Sequence, residues 1–319
     1  MICALDAIKP KVIFAQLDET NVLTGYAAHL ADVPRIVLSF RNYNPSKLPY
    51  LYKDWYLPAY QTLCKSSRIV LTGNHRGAND DYAEWIGVAP ERVVHVANAI
   101  EPQTFAIPDD AQIERARAEL GISARTPVIV GAFRLAPEKS PSTFVEVCAR
   151  VSARIPEARM FIAGVGGLRG DVEQLIAELG LKSHVKLLGR RSDVNVLMRL
   201  ANVFLLTSNI EGMPNVLLEA QLVGTPVVST RAGGSPDVVV DGETGILCNI
   251  GDVEALSTAC IDLLRVPARA RRMGTAARNH VLSTFSKERM VQGYLDAVRA
   301  KEPKEKDSAS AQKALTLAS

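Results

Sequence analysis

The chain has little of what a metal centre, a disulfide framework or a membrane span requires. Its five cysteines (Cys3, Cys64, Cys148, Cys248 and Cys260) are widely spaced, with no C-x-x-C pair and no Cys/His cluster. That excludes a structural zinc site and a disulfide scaffold, and predicts reduced, buried thiols with no metal. No apolar run reaches the ~18 to 20 residues that cross a bilayer. Met1–Lys11 is interrupted by Asp6 and Lys9 and lacks a signal peptide's apolar core. Charge of one sign is lacking too: 37 Lys and Arg stand against 34 Asp and Glu, a net +3. A protein that works by coating a polyanion is excluded, and no nucleic-acid partner is expected. The expected location is cytoplasmic; the basic cluster Arg265, Arg269, Arg271 and Arg272 is either a solvated helix face or a peripheral contact with the inner face of the membrane.

What is present is a repeated alternation. Apolar runs rich in Val, Ile, Leu and Phe fall at Lys11–Ala15, Arg35–Ser39, Arg68–Leu71, Val93–Val96, Pro127–Gly131, Met160–Gly164, Val185–Leu188, Val203–Leu206 and Pro226–Thr230. Most lack strict polar alternation, as strands buried on both faces of a parallel sheet do. Helical patterns separate them at Tyr50–Cys64, Asn79–Ile86, Asp110–Leu120, Pro141–Ile155, Asp171–Leu179, Val194–Arg199, Asn215–Val223, Pro236–Val240, Val253–Leu264 and Arg269–Phe285. Strand, helix, strand throughout predicts an α/β fold with crossover connections. The 319 residues suit two domains at roughly 150 residues each, joined through the polar segment Asn98–Asp110. Lys301–Ser319 has almost no apolar payload and reads as a disordered tail.

Five motifs fall where such a fold puts ligands, at the carboxyl ends of its strands. Gly131-Ala132-Phe133-Arg134-Leu135-Ala136-Pro137-Glu138-Lys139 makes a turn flanked by Arg134 and Lys139, which suit a diphosphate if they converge and are solvated surface cations if they do not. Val165-Gly166-Gly167 lets a ligand approach the backbone at Gly166, or is a plain turn. In Gly189-Arg190-Arg191-Ser192-Asp193, Ser192 or Asp193 is placed to cap the next helix. Gly233-Gly234 and the turn Asp241–Leu247 are open to either a structural or a binding reading.

Ser208-Asn209-Ile210-Glu211-Gly212-Met213-Pro214-Asn215-Val216-Leu217-Leu218-Glu219-Ala220 carries the sharpest signal. Pro214 suits the first turn of a helix. Glu211 then precedes that helix, and Glu219 lies inside it, on the order of 7 Å along the axis. N–H groups of Met213, Asn215 and Val216 at the helix start suit a phosphate. Glu211 gains from the helix dipole whatever the function, whereas Glu219 among apolar neighbours is a costly carboxylate that asks for a partner. The five histidines (His29, His75, His95, His184 and His280) are scattered.

Glu211 through Glu219 resembles the E-x7-E signature of the family 4 retaining glycosyltransferases, which have the two-domain GT-B fold. Arg134 to Lys139 resembles that family's R-L-x-x-E-K element, and Gly189 to Asp193 its G-x-x-x-D loop. The resemblance implies two Rossmann-like domains: 1–108, an acceptor-side domain shorter than usual, and 109–285, a nucleotide-sugar domain. Residues 286–300 would form a helix crossing back to the first domain, and 301–319 the tail. It implies Arg134 and Lys139 on the donor diphosphate, with Gly166 and Arg190 also lining the donor. Glu211 would contact the sugar and Glu219 the nucleotide ribose, while Gly212, Met213, Pro214, Asn215 and Val216 would meet the phosphates. It also implies Glu211, Arg134 and Lys139 as the catalytic set. Phe14 and Gln16 stand where many relatives carry histidines, and Asn98-Ala99-Ile100-Glu101 replaces the usual N-G-V-D. The expected function is transfer of a sugar from a nucleotide donor, a UDP-sugar first, to a polysaccharide or lipid-linked acceptor. The alternatives are a catalytically impaired nucleotide-sugar-binding fragment, a partner-dependent subunit and, last, a UDP-sugar epimerase.

Overall fold

The computed structural model describes residues 1–103 and 105–300 and is built on two all-parallel sheets. The stretch 301–319, expected to be disordered, lies outside the described residues. The first sheet collects α1 (Ile2–Ile8), β1 (Val12–Gln16), α2 (Asp18–Leu30), β2 (Arg35–Phe40), α3 (Tyr56–Leu63), β3 (Ile69–Gly73), α4 (Arg76–Ile86) and β4 (Val93–His95). Its strands pair in chain order, β1-β2-β3-β4. Right-handed crossovers between sequential parallel neighbours put α2, α3 and α4 on one face.

The second sheet collects α5 (Asp110–Leu120), β5 (Val128–Ala132), α6 (Pro141–Arg154), β6 (Arg159–Ala163), α7 (Arg169–Glu178), β7 (Val185–Gly189), α8 (Val194–Leu200), β8 (Val203–Leu206), α9 (Asn215–Leu222), β9 (Val227–Thr230), α10 (Ser235–Val238), β10 (Gly245–Cys248), α11 (Val253–Arg265) and α12 (Pro267–Thr284). Its order, β10-β9-β8-β5-β6-β7, is that of a doubly wound dinucleotide-binding sheet. Every residue of β5, β8 and β9 is buried, and their Val, Ile, Leu and Phe side chains merge into one core with α6, α9 and α11.

A last helix, α13 (Lys287–Arg299), returns to the first sheet. Residues along β2 alternate: Ile36 and Leu38 face the core under α2 to α4, while Val37 faces away and joins Val70 and Ala297 beneath α13. The β1 strand lies at the sheet's edge, and its Val12 and Phe14 are 41% and 42% exposed. Phe14 meets the Tyr294 ring of α13 at 4.9 Å.

Four local expectations are corrected. The helix expected at Tyr50–Cys64 begins only at Tyr56, because Pro58 has no N–H to give and is tolerated only in the first turn. The sequence reading assigned no helix to Asp18–Leu30, whose buried face is Asn21, Val22, Thr24, Gly25 and Ala28 rather than an apolar stripe. Asn21 there donates to Ser39 O and Tyr60 Oη, and Asp18 accepts from Tyr60 and Tyr82. The turn at Asp241–Leu247 leads into a tenth strand, β10, paired with β9. Cys3 is exposed, whereas the other four cysteines are free and buried.

Candidate functional site

Strands β5 and β8 are neighbours across the point where the strand order reverses. The helices that follow them leave to opposite faces, which opens a crevice at their carboxyl ends. The loop after β5 carries Arg134 to Lys139 and the loop after β8 carries Ser208 to Pro214, so topology alone brings the two motifs together. Main-chain bonds stitch them: Asn209 and Ile210 donate to the Glu138 carbonyl at 2.8 and 3.3 Å, and Thr207 Oγ1 donates to the Ser140 carbonyl at 3.1 Å.

Each of the two cations is already held by a carboxylate. Lys139 Nζ donates to Glu211 Oε1 at 2.6 Å, and Ser208 Oγ reaches the same oxygen at 2.6 Å. Glu211 is only 5% exposed, so a fixed cation beside it is a physical necessity. Arg134 pairs with buried Glu138, which raises the guanidinium's pKa further. Burial pushes the Glu138 carboxyl up, but its own main-chain N–H, Arg134 and Tyr50 outweigh that and hold it below the usual range. Lys139 is thus largely enclosed beside Glu211, whereas Arg134 pairs with Glu138 but keeps 60% of its side chain exposed.

Glu219 differs. It is half-buried on α9, its carboxylate makes no hydrogen bond or ion pair among the described residues, and burial raises its pKa. The helix begins at Asn215, with Pro214 in extended backbone at the cap rather than in the first turn. N–H groups of Met213, Asn215 and Val216 have no main-chain acceptor among the described residues.

An unpaired, half-buried carboxylate lowers stability as pH rises above its ordinary value of 4.5, because the folded state holds the proton more tightly than the unfolded chain. Glu219→Gln is thus expected to raise the Tm of the ligand-free protein at pH 7 and to flatten that slope, while weakening nucleotide binding about tenfold. Thermal shift with and without nucleotide measures both.

Other expected positions behave less simply. A side chain at Gly166 would put its Cβ 2.2 Å from the Leu135 carbonyl oxygen, so this glycine is demanded by the chain's own packing. Arg190 is exposed, and Arg191 is the arginine tied down in that loop, by Glu119 and Asp193. Because Arg191 takes the Asp193 carboxylate, the cap expected from Ser192 or Asp193 is not made.

Sequence reasoning missed the residues that the first domain brings to this crevice. Arg41 Nη2 donates to Asn98 Oδ1 at 2.7 Å, and Asn98 Nδ2 donates to Asn215 Oδ1 at 2.7 Å. The main-chain N–H of Arg76 faces Asp237 Oδ2 at 3.3 Å. An ideal Cβ on Gly212 would lie 2.0 Å from the Arg41 carbonyl oxygen, so the two domains touch backbone to backbone beside Glu211. The histidines are not all scattered either: His75 and His95 both lie at this seam, and Asp237 acts on both rings. Only the Asn98 motif carried a signal, and it was read as a departure rather than a contact.

Among the described residues no group of three or more His, Cys, Asp or Glu side chains is arranged to hold a metal ion, and no helix is long and apolar enough to cross a membrane.

Two Rossmann-like domains meeting over such a crevice define the GT-B class of fold. Residues 112–280 match the family model described as glycosyl transferases group 1, and the chain belongs to that family. It is 31% identical over 245 residues to the Vi polysaccharide biosynthesis protein VipC/TviE of Salmonella typhi, covering 76% of this chain and 42% of that protein. It is 32% identical over 200 residues to the GDP-mannose-dependent alpha-(1-6)-phosphatidylinositol monomannoside mannosyltransferase of Mycolicibacterium smegmatis, covering 60% and 52%. The chain thus spans about half the length of these curated relatives. Among solved structures it resembles Anabaena Alr3699/HepE in complex with UDP, with TM-score 0.81 and 21% identity over 93% of this chain and 80% of that one.

Proposed function

We propose that the protein is a family 4 retaining glycosyltransferase that moves a sugar from a nucleotide-sugar donor to a glycan or lipid-linked acceptor in cell-surface polysaccharide or glycolipid synthesis. The observation that carries this reading is one loop and helix that hold two different carboxylates. Glu211 is locked by Lys139 and Ser208, and Glu219 is left half-buried without a partner. A nucleotide ribose offers the paired hydroxyls that Glu219 lacks, and the free N–H groups at the start of α9 suit the phosphates.

Arg134 and Lys139 are the cations within reach of a diphosphate. Their present partners act as placeholders, and on donor binding the phosphate oxygens take over part of that pairing. In the reaction the bond from the anomeric carbon to the phosphate oxygen breaks, and its electron pair stays on the phosphate. The acceptor oxygen bonds to the same face of that carbon, and its proton passes to the leaving phosphate. Arg134 and Lys139 stabilise the charge that develops there, so the reading calls for no metal. Glu211 positions sugar hydroxyls beside the reacting carbon. UDP is the first donor base to try, because HepE is a structural neighbour solved with UDP and with UDP-glucose. GDP is the second, because a GDP-mannose-dependent enzyme is among the relatives. The division at 108/109, a cytoplasmic site of action and lipid-surface contact through Arg265, Arg269, Arg271 and Arg272 belong to the same proposal.

A second reading, a subunit that transfers sugar only with a partner, is favoured by β1, which among the described residues pairs only with β2 and leaves Val12 and Phe14 41% and 42% exposed. Incubation with UDP- and GDP-sugars and candidate acceptors separates the two. Released nucleotide with a product that keeps the donor's anomeric configuration supports the first, and an inverted product ends the retaining assignment. Nucleotide binding with no release from any donor supports the second. Glu211→Ala is expected to lower transfer about a hundredfold while nucleotide affinity, measured by calorimetry, stays within about threefold.

A further inference from the structure

At the seam, one buried donor and one buried acceptor face each other unsatisfied. His75 ends the turn after β3 and caps α4, its Nδ1 accepting the Ala78 N–H at 3.2 Å. That bond requires the proton on Nε2. The side chain is 1% exposed, and Nε2 has no hydrogen-bond partner among the described residues. Its neighbours leave it little freedom: the Tyr43 ring stands edge-on at 5.1 Å, and an ideal Cβ on Gly234 would lie 2.8 Å from the His75 Cβ.

Across the seam, the main-chain carbonyl of Glu211 is within polar reach of the imidazole and already favours its charged form, without meeting hydrogen-bond geometry at Nε2. No main-chain N–H donates to that carbonyl among the described residues, and Gly233 is packed so closely on it that a Cβ there would come within 2.0 Å. A buried N–H without an acceptor beside a buried C=O without a donor is an interaction waiting on a small shift, since orphaned polar groups of this kind are rare in native structures.

We propose that His75 is a positioning residue lent by the first domain: a small local shift on donor binding brings its Nε2–H onto the Glu211 carbonyl and fixes the loop that presents the Glu211 carboxylate. The inference rests on the reading of Glu211 as the residue that contacts the donor sugar. The Asp237 and Asp81 carboxylates around the ring favour the charged form, but burial wins and lowers the His75 pKa to about 4. The imidazole is therefore neutral near pH 7 and acts as a fixed donor rather than as an acid.

His75→Asn keeps a side-chain acceptor for the Ala78 N–H, because asparagine is a good helix cap, and removes the reach to Glu211. Calorimetry on the full chain compares a diphosphate with its nucleotide sugar, using whichever of UDP and UDP-glucose or GDP and GDP-mannose the wild-type protein binds. In the variant, diphosphate affinity is expected within about twofold of wild type and nucleotide-sugar affinity about tenfold weaker. An unchanged ratio overturns the proposal. If wild type binds neither pair, the glycosyltransferase reading fails and this inference falls with it. Should the variant not fold, histidine-labelled wild type decides by 15N NMR. An Nε2-protonated His75 whose signal moves with nucleotide sugar but not with diphosphate supports the proposal. The other tautomer, or no response to the sugar, overturns it.

Discussion

Lys139→Ala is expected to cut sugar transfer by roughly 10² to 10³ in kcat, the usual cost of losing one fixed donor to developing charge. Two effects add in this variant. The leaving diphosphate loses a cation, and Glu211, 5% exposed, is left with only the Ser208 hydroxyl. A buried carboxylate stripped of its counter-charge is strongly destabilising, so the Tm should fall as well. The double variant Lys139→Ala with Glu211→Gln separates the two, since it removes the orphaned charge and should restore the Tm without restoring transfer. Transfer at the wild-type rate by Lys139→Ala would remove Lys139 from the donor cradle.

Gly212→Ala is expected to do comparable damage by a different route. The added methyl would sit 2.0 Å from the Arg41 carbonyl oxygen and 3.0 Å from its carbon, and both are main-chain atoms that cannot swing aside. One of the two backbones must retreat, and the seam is what gives. Asn98, which bridges Arg41 to Asn215, would lose one partner or the other. The expected outcome is a larger radius of gyration in solution scattering, with near-complete loss of transfer. Each domain keeps its own core, so far-ultraviolet circular dichroism should change little. A compact, active Gly212→Ala protein would mean that the closed seam is not the working arrangement.

Nine of the ten strands were legible as apolar runs: β2, β3, β5, β6, β8 and β9 are buried on both faces, as parallel strands demand, and β1, β4 and β7 keep an apolar run despite partial exposure. The tenth, β10, is four residues long and directly follows Asp241-Gly242-Glu243-Thr244, whose turn chemistry dominates that window. Helix α2 was illegible for a different reason: Asn21, Thr24 and Gly25 fill its buried face, and their burial is decided by Ser39 and Tyr60 on distant elements. The site divides in the same way. Glu211 and Glu219 stand out from strand-loop-helix context alone, whereas Arg134 and Lys139 stand out only through the family resemblance of the motif around them. Their pairings could not, because Lys139 and Glu211 are 72 positions apart and Asn98 and Asn215 are 117 apart. Glu138 lies inside a motif that was quoted for its cations, so its role as the counter-ion of Arg134 needed coordinates. His75 looked like one scattered histidine until the seam gave it a neighbour.

The edge position of β1 has a practical consequence for anyone handling this chain. Among the described residues β1 pairs only with β2, and such an edge strand, with Val12 and Phe14 about half exposed, is a template to which other chains can add. Recovery after heating should therefore depend on protein concentration, and apparent melting points should drift with scan rate. Colloidal behaviour, rather than the strength of either core, would then set the shelf life of the purified protein.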